Sequence, residues 1–411
     1  MTKKSRFLFV ALVLGLGWPM CGFNAVAQTA ASNSSRLNFC TENIFPSQNF
    51  HVHSSSVVEL PNGDLLACWF EGSGERKAND VKVKGARLKK GDSEWTKAFL
   101  LADTPGHPDC NPVLFIDKDY RLHLFWIVVQ ANRWETSILK SRVSSNYQNN
   151  GPPVWEWQDV ILLKPGKEFV EAIKKGFLES TTQGLAWAEY APQYERMIVE
   201  AAMDPKKRET GWMTRTHPIQ LQDGRILLPL YSDGYNLSLI AISDDYGKSW
   251  QPSLPIVGRG NVQPSLVQKK NGNLVAFMRD NGDEPGRVMK SISKDNGYEW
   301  SIAKKSSVTN PGTSVEAISL DNGDWVMVYN DIENGRYSMA VSLSEDEGET
   351  WRWTRHLEKM GPGEGSFSYP SVIQTKDGII HVTYSYSVSD HKTIKHVAFS
   401  EEWVKENEDE D

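Results

Sequence analysis

Six stretches of the chain alternate apolar and polar residues on both sides of a short polar turn, at 57–66, 113–125, 219–228, 266–277, 317–328 and 372–382. A period of two puts alternate side chains on one face of a strand, and an Asn-Gly, Asp-Gly or equivalent turn between two such runs signals a hairpin. The first reads Val57-Val58-Glu59-Leu60-Pro61-Asn62-Gly63-Asp64-Leu65-Leu66. Each hairpin is followed by further strand-like sequence, so the unit predicted is a four-stranded sheet of about 50 residues, repeated radially as propeller blades. The gap between the second and third hairpins is about twice as long as the others. Within it Phe169, Ile173 and Phe177 fall at helical i, i+4, i+8 spacing. Residues 165–205 are therefore read as a largely helical insertion. The expected fold is all-β, a six-bladed β-propeller, with seven the other count that the long gap allows. A strand at 394–399 is expected to complete a blade begun by a strand near 37–44, which would close the ring without an exposed edge.

An independent repeat supports the same period. Ser243-x-Asp245-x-Gly247-x-x-Trp250, Ser293-x-Asp295-x-Gly297-x-x-Trp300 and Ser344-x-Asp346-x-Gly348-x-x-Trp351 recur at intervals of 50 and 51 residues. Ser and Asp oxygens bond the local backbone, Gly supplies a positive φ, and Trp fills the gap between strands. Such turns report the fold rather than an active site. Degenerate copies are expected at 88–95 and 141–157, where a Trp remains.

Composition narrows the classes. The 15 Trp, 15 Phe and 13 Tyr beside 31 Gly and 20 Pro suit many short strands joined by tight turns. Net charge is -7 with both signs interspersed, and no basic stripe with interleaved aromatics occurs, so nucleic acid is not an expected partner. Lys3, Lys4 and Arg6 precede an apolar stretch from Phe7 to Trp18 and then Ala25-Val26-Ala27. Residues 1–27 read as a secretory signal peptide, leaving 28–405 as the propeller and 406–411 as an acidic tail. No later segment is long and apolar enough to span a bilayer, and a secreted or periplasmic protein is expected. Cys40, Cys68 and Cys110 remain after cleavage, compatible with one disulfide and one thiol or with three buried thiols. His51 and His53 alone stand at a ligand-like spacing, and neither a metal nor another cofactor is expected.

Four hairpins are preceded by an X-Pro pair: Asn111-Pro112, His217-Pro218, Gln263-Pro264 and Tyr369-Pro370. Proline is tolerated at the start of a strand and biases the residue before it towards extended conformations. Asn111, His217, Gln263 and Tyr369 are thus candidates for a polar ring around the central channel.

With these features the chain resembles the sialidase superfamily, in particular secreted bacterial proteins with BNR (Asp-box) repeats. The resemblance covers most of the chain after the leader, and it implies a glycosidase acting on an acidic glycan. In that family three arginines clamp a carboxylate, an Asp on a first-blade loop acts as acid and base, and a Tyr–Glu pair supplies the nucleophile. A planar guanidinium matches a carboxylate, and a neutral phenol can approach an anomeric centre that carries one. By the resemblance Arg279 and Arg336 are the second and third arginines, Tyr369 is the nucleophile, and Asp80 is the acid/base, with Arg76 beside it as a substrate contact. The pattern is broken twice. His53, followed by Ser54 and Ser55, stands where the first arginine belongs. Gln263 stands in place of the glutamate and cannot take the phenolic proton.

Three functional classes remain open. One is a sialidase-like exo-glycosidase using Tyr369 and Asp80. Another is a lyase or atypical hydrolase on a uronate polysaccharide, with His53 or His217 exchanging protons with Tyr369. The third is a non-catalytic glycan-binding propeller using Trp126, Trp134 and Trp212. In every case the segment 211–217 is expected near the pocket.

Overall fold

The computed structural model describes residues 39–180 and 191–406, in which 24 strands form six four-stranded antiparallel sheets. The proposed leader and the end of the acidic tail, 407–411, lie outside the described residues. The sheets are the blades of a six-bladed β-propeller. Their innermost strands are His51–Glu59, Asp109–Ile116, Ile219–Gln220, Asn261–Gln268, Glu316–Ser319 and Ser366–Gln374, which begin blades 1 to 6 in that order. Each of the six expected hairpins supplies the first two strands of one blade. Blade 6 is closed by the N-terminal strand Phe39–Asn43, which pairs with His391–Phe399 from Phe39↔Phe399 to Asn43↔Lys395.

The three Ser-x-Asp-x-Gly-x-x-Trp turns join the third and fourth strands of blades 3, 4 and 5. In the first, Ser243 Oγ bonds Asp245, the Gly247 N–H donates to Ser243 Oγ at 2.7 Å, and the Ser249 N–H donates to Asp245 at 2.8 Å. Gly247, Gly297 and Gly348 hold φ of 83°, 90° and 75°, which an L side chain rarely adopts.

The described part of the insertion is helical, as the apolar spacing predicts, while 181–190 lie outside the described residues. Helix α1, Lys167–Glu179, buries Phe169, Val170, Ile173 and Phe177 on one face. Gly176 lets it lie against the propeller, because a Cβ there would stand 2.7 Å from Val257 side-chain carbons. Helix α2 is Ala191–Met203, and α3, Pro205–Arg208, starts where the Asp204 carboxylate accepts the Lys206 N–H. No helix among the described residues is long and apolar enough to cross a membrane. Cys68 and Cys110 are separate buried thiols on blades 1 and 2, and burial pushes both well above the usual thiol range.

Around the axis the innermost strands present backbone groups that have no fifth strand to pair with. Buried N–H and C=O groups need partners, and here side chains of adjacent blades provide them at all six junctions. Ser56 Oγ accepts the Leu114 N–H, Thr214 Oγ1 donates to the Asn111 carbonyl, and Thr216 Oγ1 donates to that of Pro264. Ser265 Oγ accepts the Ala317 N–H at 2.9 Å, Glu316 accepts the Val372 N–H at 3.0 Å, and Ser371 Oγ accepts the Val57 N–H at 3.1 Å. Glu316 also accepts from the His217 backbone at 2.7 Å and its ring Nδ1 at 3.0 Å. Burial alone would raise this carboxyl. His217 and Arg215 outweigh that effect and hold it below the usual carboxylate range.

Glu316→Ala strands the His217 ring and the buried Val372 and His217 N–H groups, so it should cost about 3–5 kcal/mol. Glu316→Gln, which keeps an acceptor oxygen, should cost less. Urea unfolding of the two variants checks this, and a loss under about 1 kcal/mol for the alanine variant would show that the junctions do not depend on this residue.

Candidate active site

Four innermost strands carry one extra residue each. The pairings His53↔Phe70 and Ser56↔Cys68 set three steps on the inner strand against two on its partner, and the same shift occurs at Cys110/Val113, Val262/Ser265 and Ser368/Ser371. Inside each bulge one non-glycine residue is left-handed: Ser54, Asn111, Gln263 and Tyr369, with φ of 57°, 49°, 57° and 57°. The X-Pro pairs therefore do not hold Asn111, Gln263 and Tyr369 extended, contrary to the expectation from proline alone. Such a conformation costs on the order of 1–3 kcal/mol per residue and persists where its surroundings over-determine it. Bulges of this kind re-aim a side chain, and the prolines are tolerated because the bulge asks no ladder N–H of them.

Three of the re-aimed side chains, Asn111, Gln263 and Tyr369, meet in a cavity of about 430 Å³ at one mouth of the channel. Every blade lines it: His51, Val52, His53 and Glu75 from blade 1, Asn111 and Trp134 from blade 2, and Tyr231 and Asp233 from blade 3. Gln263 and Arg279 come from blade 4 and Arg336 from blade 5. Blade 6 supplies Ser366, Ser368, Tyr369, Ser385, Tyr386, Ser387 and Lys392. The Gln263 amide donates to Tyr369 Oη at 3.1 Å, and the Asn111 amide donates to Tyr231 Oη at 3.1 Å. The His53 ring lies 4.1 Å from that of Tyr369, tilted by 48°.

Positive charge gathers around Tyr369. The Arg215 guanidinium lies 4.7 Å from the ring centroid and that of Arg336 5.8 Å away. Arg215 is 1 % exposed and donates through Nη2 to the Pro370 carbonyl, while its Nε and Nη1 have no partner. Arg279 bonds only the Asn281 side chain, at 3.2 Å, and its Nε is likewise unpartnered. Among the described residues none of these three arginines has a carboxylate within 4.0 Å. His53 adds no charge to the group. Burial first, and then Arg336, His51, Arg215 and Arg279, hold it well below the usual imidazole range, so it is neutral at neutral pH.

Two carboxyl groups line the cavity. Burial, opposed by Arg76 and Arg336, raises Glu75 above the usual range. Burial, opposed mainly by Arg279, raises Asp233 as well. A carboxyl displaced in this direction keeps its proton further towards neutrality, as a general acid requires.

Of the residues singled out in the sequence, His53, Asn111, Gln263, Arg279, Arg336 and Tyr369 come together here, and Asp80, Arg76 and His217 do not line the cavity. Asp80 is solvent-facing, its carboxylate taken up by the Ser73 N–H and hydroxyl. Glu75, from the same loop, is the carboxyl that reaches inside. Arg76 stacks over Trp134 at 5.2 Å and donates to the Asn132 carbonyl. His217 is drawn by Glu316 into the lining of a second cavity, formed by other residues of the inner strands. In blade 3 six steps from Met213 to Ile219 oppose four from Tyr231 to Leu227, and it is Arg215 in this longer bulge that stands against Tyr369. Trp126 and Trp212 are core residues, bonded to Asp109 and to the Arg208 carbonyl. Only Trp134 of the three lines the cavity.

Register would have disclosed two of the missed residues. Arg279 pairs with Val262 just before its bulge, and the equivalent partners in blades 3 and 6 are Tyr231 and Ser385. Both line the cavity. Glu75 and Lys392 carry no such signal, since each lies outside the repeated register.

The raised Glu75 carboxyl has a pH signature. Below the ordinary Glu value the group is protonated in folded and unfolded chains alike and costs nothing; as pH rises through its raised folded value, the folded state loses stability. Glu75→Gln should therefore stabilise the protein at pH 8 and change little at pH 4. Denaturant unfolding at the two pH values measures this, and an equal effect at both would contradict the buried placement.

Comparison with known proteins agrees with this architecture. The profile of the BNR repeat-like domain matches residues 63–382. A sialidase of Vibrio cholerae is 25% identical over 237 residues, covering 47% of this chain and 30% of that protein. Sialidase-3 of Rattus norvegicus is 27% identical over 210 residues, covering 47% of this chain and 42% of that protein. The chain thus spans less than half the length of these curated relatives. Among solved structures, the leech intramolecular trans-sialidase complexed with 2,7-anhydro-Neu5Ac superposes with a TM-score of 0.66, with 14% identity over 89% of this chain and 71% of that one. At that identity the likeness is one of fold. The match across most of the propeller shows that the chain belongs to the BNR repeat-like domain family, within the sialidase superfamily.

Proposed function

We propose that the axial cavity binds an acidic sugar through its carboxylate and that the protein is a secreted, sialidase-like exo-glycosidase. The observation that carries this reading is that Arg279 and Arg336 line the cavity with no carboxylate within 4.0 Å among the described residues, with the buried Arg215 packed over Tyr369 beside them. Guanidinium groups left unpaired in a half-buried cavity favour an oxyanion, and a bidentate carboxylate fits them best. Secretion rests on the pattern of residues 1–27 alone.

In this reading Arg279 and Arg336 hold the carboxylate and place the anomeric carbon over Tyr369 Oη. The phenol gives its proton to solvent water at the open side of the cavity, and its oxygen forms the bond to that carbon as the bond to the aglycone breaks; the proton returns from solvent when the sugar is released. Glu75 gives its proton to the leaving oxygen and later takes one from the water that releases the sugar. Gln263 orients Tyr369 through its amide but cannot accept the phenolic proton, so turnover is expected to be slow for this chemistry.

A second reading, glycan binding without turnover, is favoured by the same Gln263. The lyase reading has less support, because His217 lies outside the cavity and the neutral His53 is a weak base in its surroundings.

Aryl sialosides and aryl glucuronides, assayed by release of the aryl group, test the proposal. Turnover of one of them is expected, abolished by Tyr369→Phe with binding retained, and Arg336→Ala should lower kcat/KM by about a hundredfold, the worth of a strong charge-assisted contact. Binding without turnover in the unmodified protein would select the second reading. Neither binding nor turnover on any acidic sugar would overturn both.

A further inference from the structure

We propose that the blade 6 wall of this cavity is a second oxyanion subsite centred on Lys392, so that the substrate carries two anionic groups. The inference rests on the reading that Arg279 and Arg336 take a carboxylate, and it adds a group that this carboxylate does not satisfy.

Lys392 is held in place by its backbone. Its N–H donates to the Gln48 carbonyl at 2.7 Å, and its own carbonyl accepts the Gln48 N–H at 2.9 Å. Its side chain lines the cavity, half-buried, and among the described residues its ammonium has neither a hydrogen bond nor an ion pair. Several other half-buried lysines are paired with a carboxylate. Lys395, three residues along the same strand, meets Glu358; Lys305 meets Asp280 at 3.0 Å, and Lys269 meets Glu349 at 2.7 Å. Lys89, on blade 1, is half-buried and lacks a side-chain partner among the described residues as well, but of the two only Lys392 lines the cavity.

The rest of this wall offers donors and no negative charge. The hydroxyls of Ser366, Tyr386 and Ser387 line it, none of them bonded to another side chain among the described residues. The carboxyls of the cavity, Glu75 and Asp233, belong to blades 1 and 3. His51, the neighbour that senses Lys392, is pushed below the usual imidazole range by burial and then by that ammonium. A neutral imidazole cannot neutralise or repel an incoming anion. An ammonium flanked by hydroxyl donors suits a tetrahedral or planar oxyanion, that is, a sulfate ester or a second carboxylate on the glycan. One acidic group saturates the arginines and leaves Lys392 unpaired; a second completes the site.

The test measures affinity by calorimetry on the full chain with saccharides in a sialyl and a glucuronyl series. Each series comprises a singly acidic oligosaccharide, its O-sulfated counterpart, and an unsulfated one with two acidic sugars. A doubly anionic member should bind about tenfold more tightly than the singly acidic one, the worth of one charge-assisted hydrogen bond. Lys392→Ala should remove that preference, weakening the doubly anionic member about tenfold more than the singly acidic one, while Arg336→Ala should weaken every member. Whether the sulfated or the doubly carboxylated ligand shows the Lys392-dependent gain identifies the oxyanion. A preference unaltered by Lys392→Ala, or no preference in the unmodified protein, overturns the subsite and spares the arginine reading. Binding of no acidic saccharide overturns both.

Discussion

Closing six sheets around an axis leaves the inner edge of every blade without a strand to pair with, and the rest of this structure depends on how that edge is satisfied. Each junction is closed by a side chain from one blade reaching the backbone of the next: Ser56, Thr214, Thr216, Ser265, Glu316 and Ser371. An unpaired buried peptide group costs roughly as much as these bonds contribute, so the small hydroxyl residues near the axis are structural requirements. Glu316 serves three backbone and ring donors at once and so ties blades 3, 5 and 6 together.

The same constraint makes the cavity. Four inner strands bulge where they leave this ring, and the bulged residues turn Asn111, Gln263 and Tyr369 left-handed and inward. Arg215 belongs to both systems: one guanidinium nitrogen closes a contact to the Pro370 carbonyl, and the remaining charge lies under Tyr369. Structural polarity and site polarity are thus continuous along the axis, with the hydrogen-bonded His217–Glu316 pair on one side and, among the described residues, arginines without an ion pair on the other. With His53 uncharged in its buried place, blade 1 brings a carboxyl, Glu75, instead of a cation, and the positive wall is made by blades 4, 5 and 6.

The blade count, the hairpins, the closing strand and the helical face of Phe169, Ile173 and Phe177 were legible because each is a periodic signal read locally. The cavity was legible in part for the same reason, since Asn111, Gln263 and Tyr369 share one place in the repeat. What the chain does not display is where a side chain goes once a bulge or loop departs from the repeat. Asp80 and Glu75 lie five residues apart on one loop, and only folding decides that Ser73 claims the former while the latter is buried. His217 shares the X-Pro context of the others, yet its blade holds a longer bulge and Glu316 captures it. Lys392 is one lysine among many until its lack of a partner is seen in three dimensions.

The central claim is that Arg279 and Arg336, which have no ion pair among the described residues, form a carboxylate site beside Tyr369 at one mouth of the propeller. A crystal structure of the protein soaked with a carboxylated sugar or its unsaturated analogue tests it most directly. The account predicts the carboxylate between Arg279 and Arg336, with the ring carbon that bears it above Tyr369 Oη. A sugar bound elsewhere, or one seated in this cavity with its carboxylate turned away from both arginines, would contradict it.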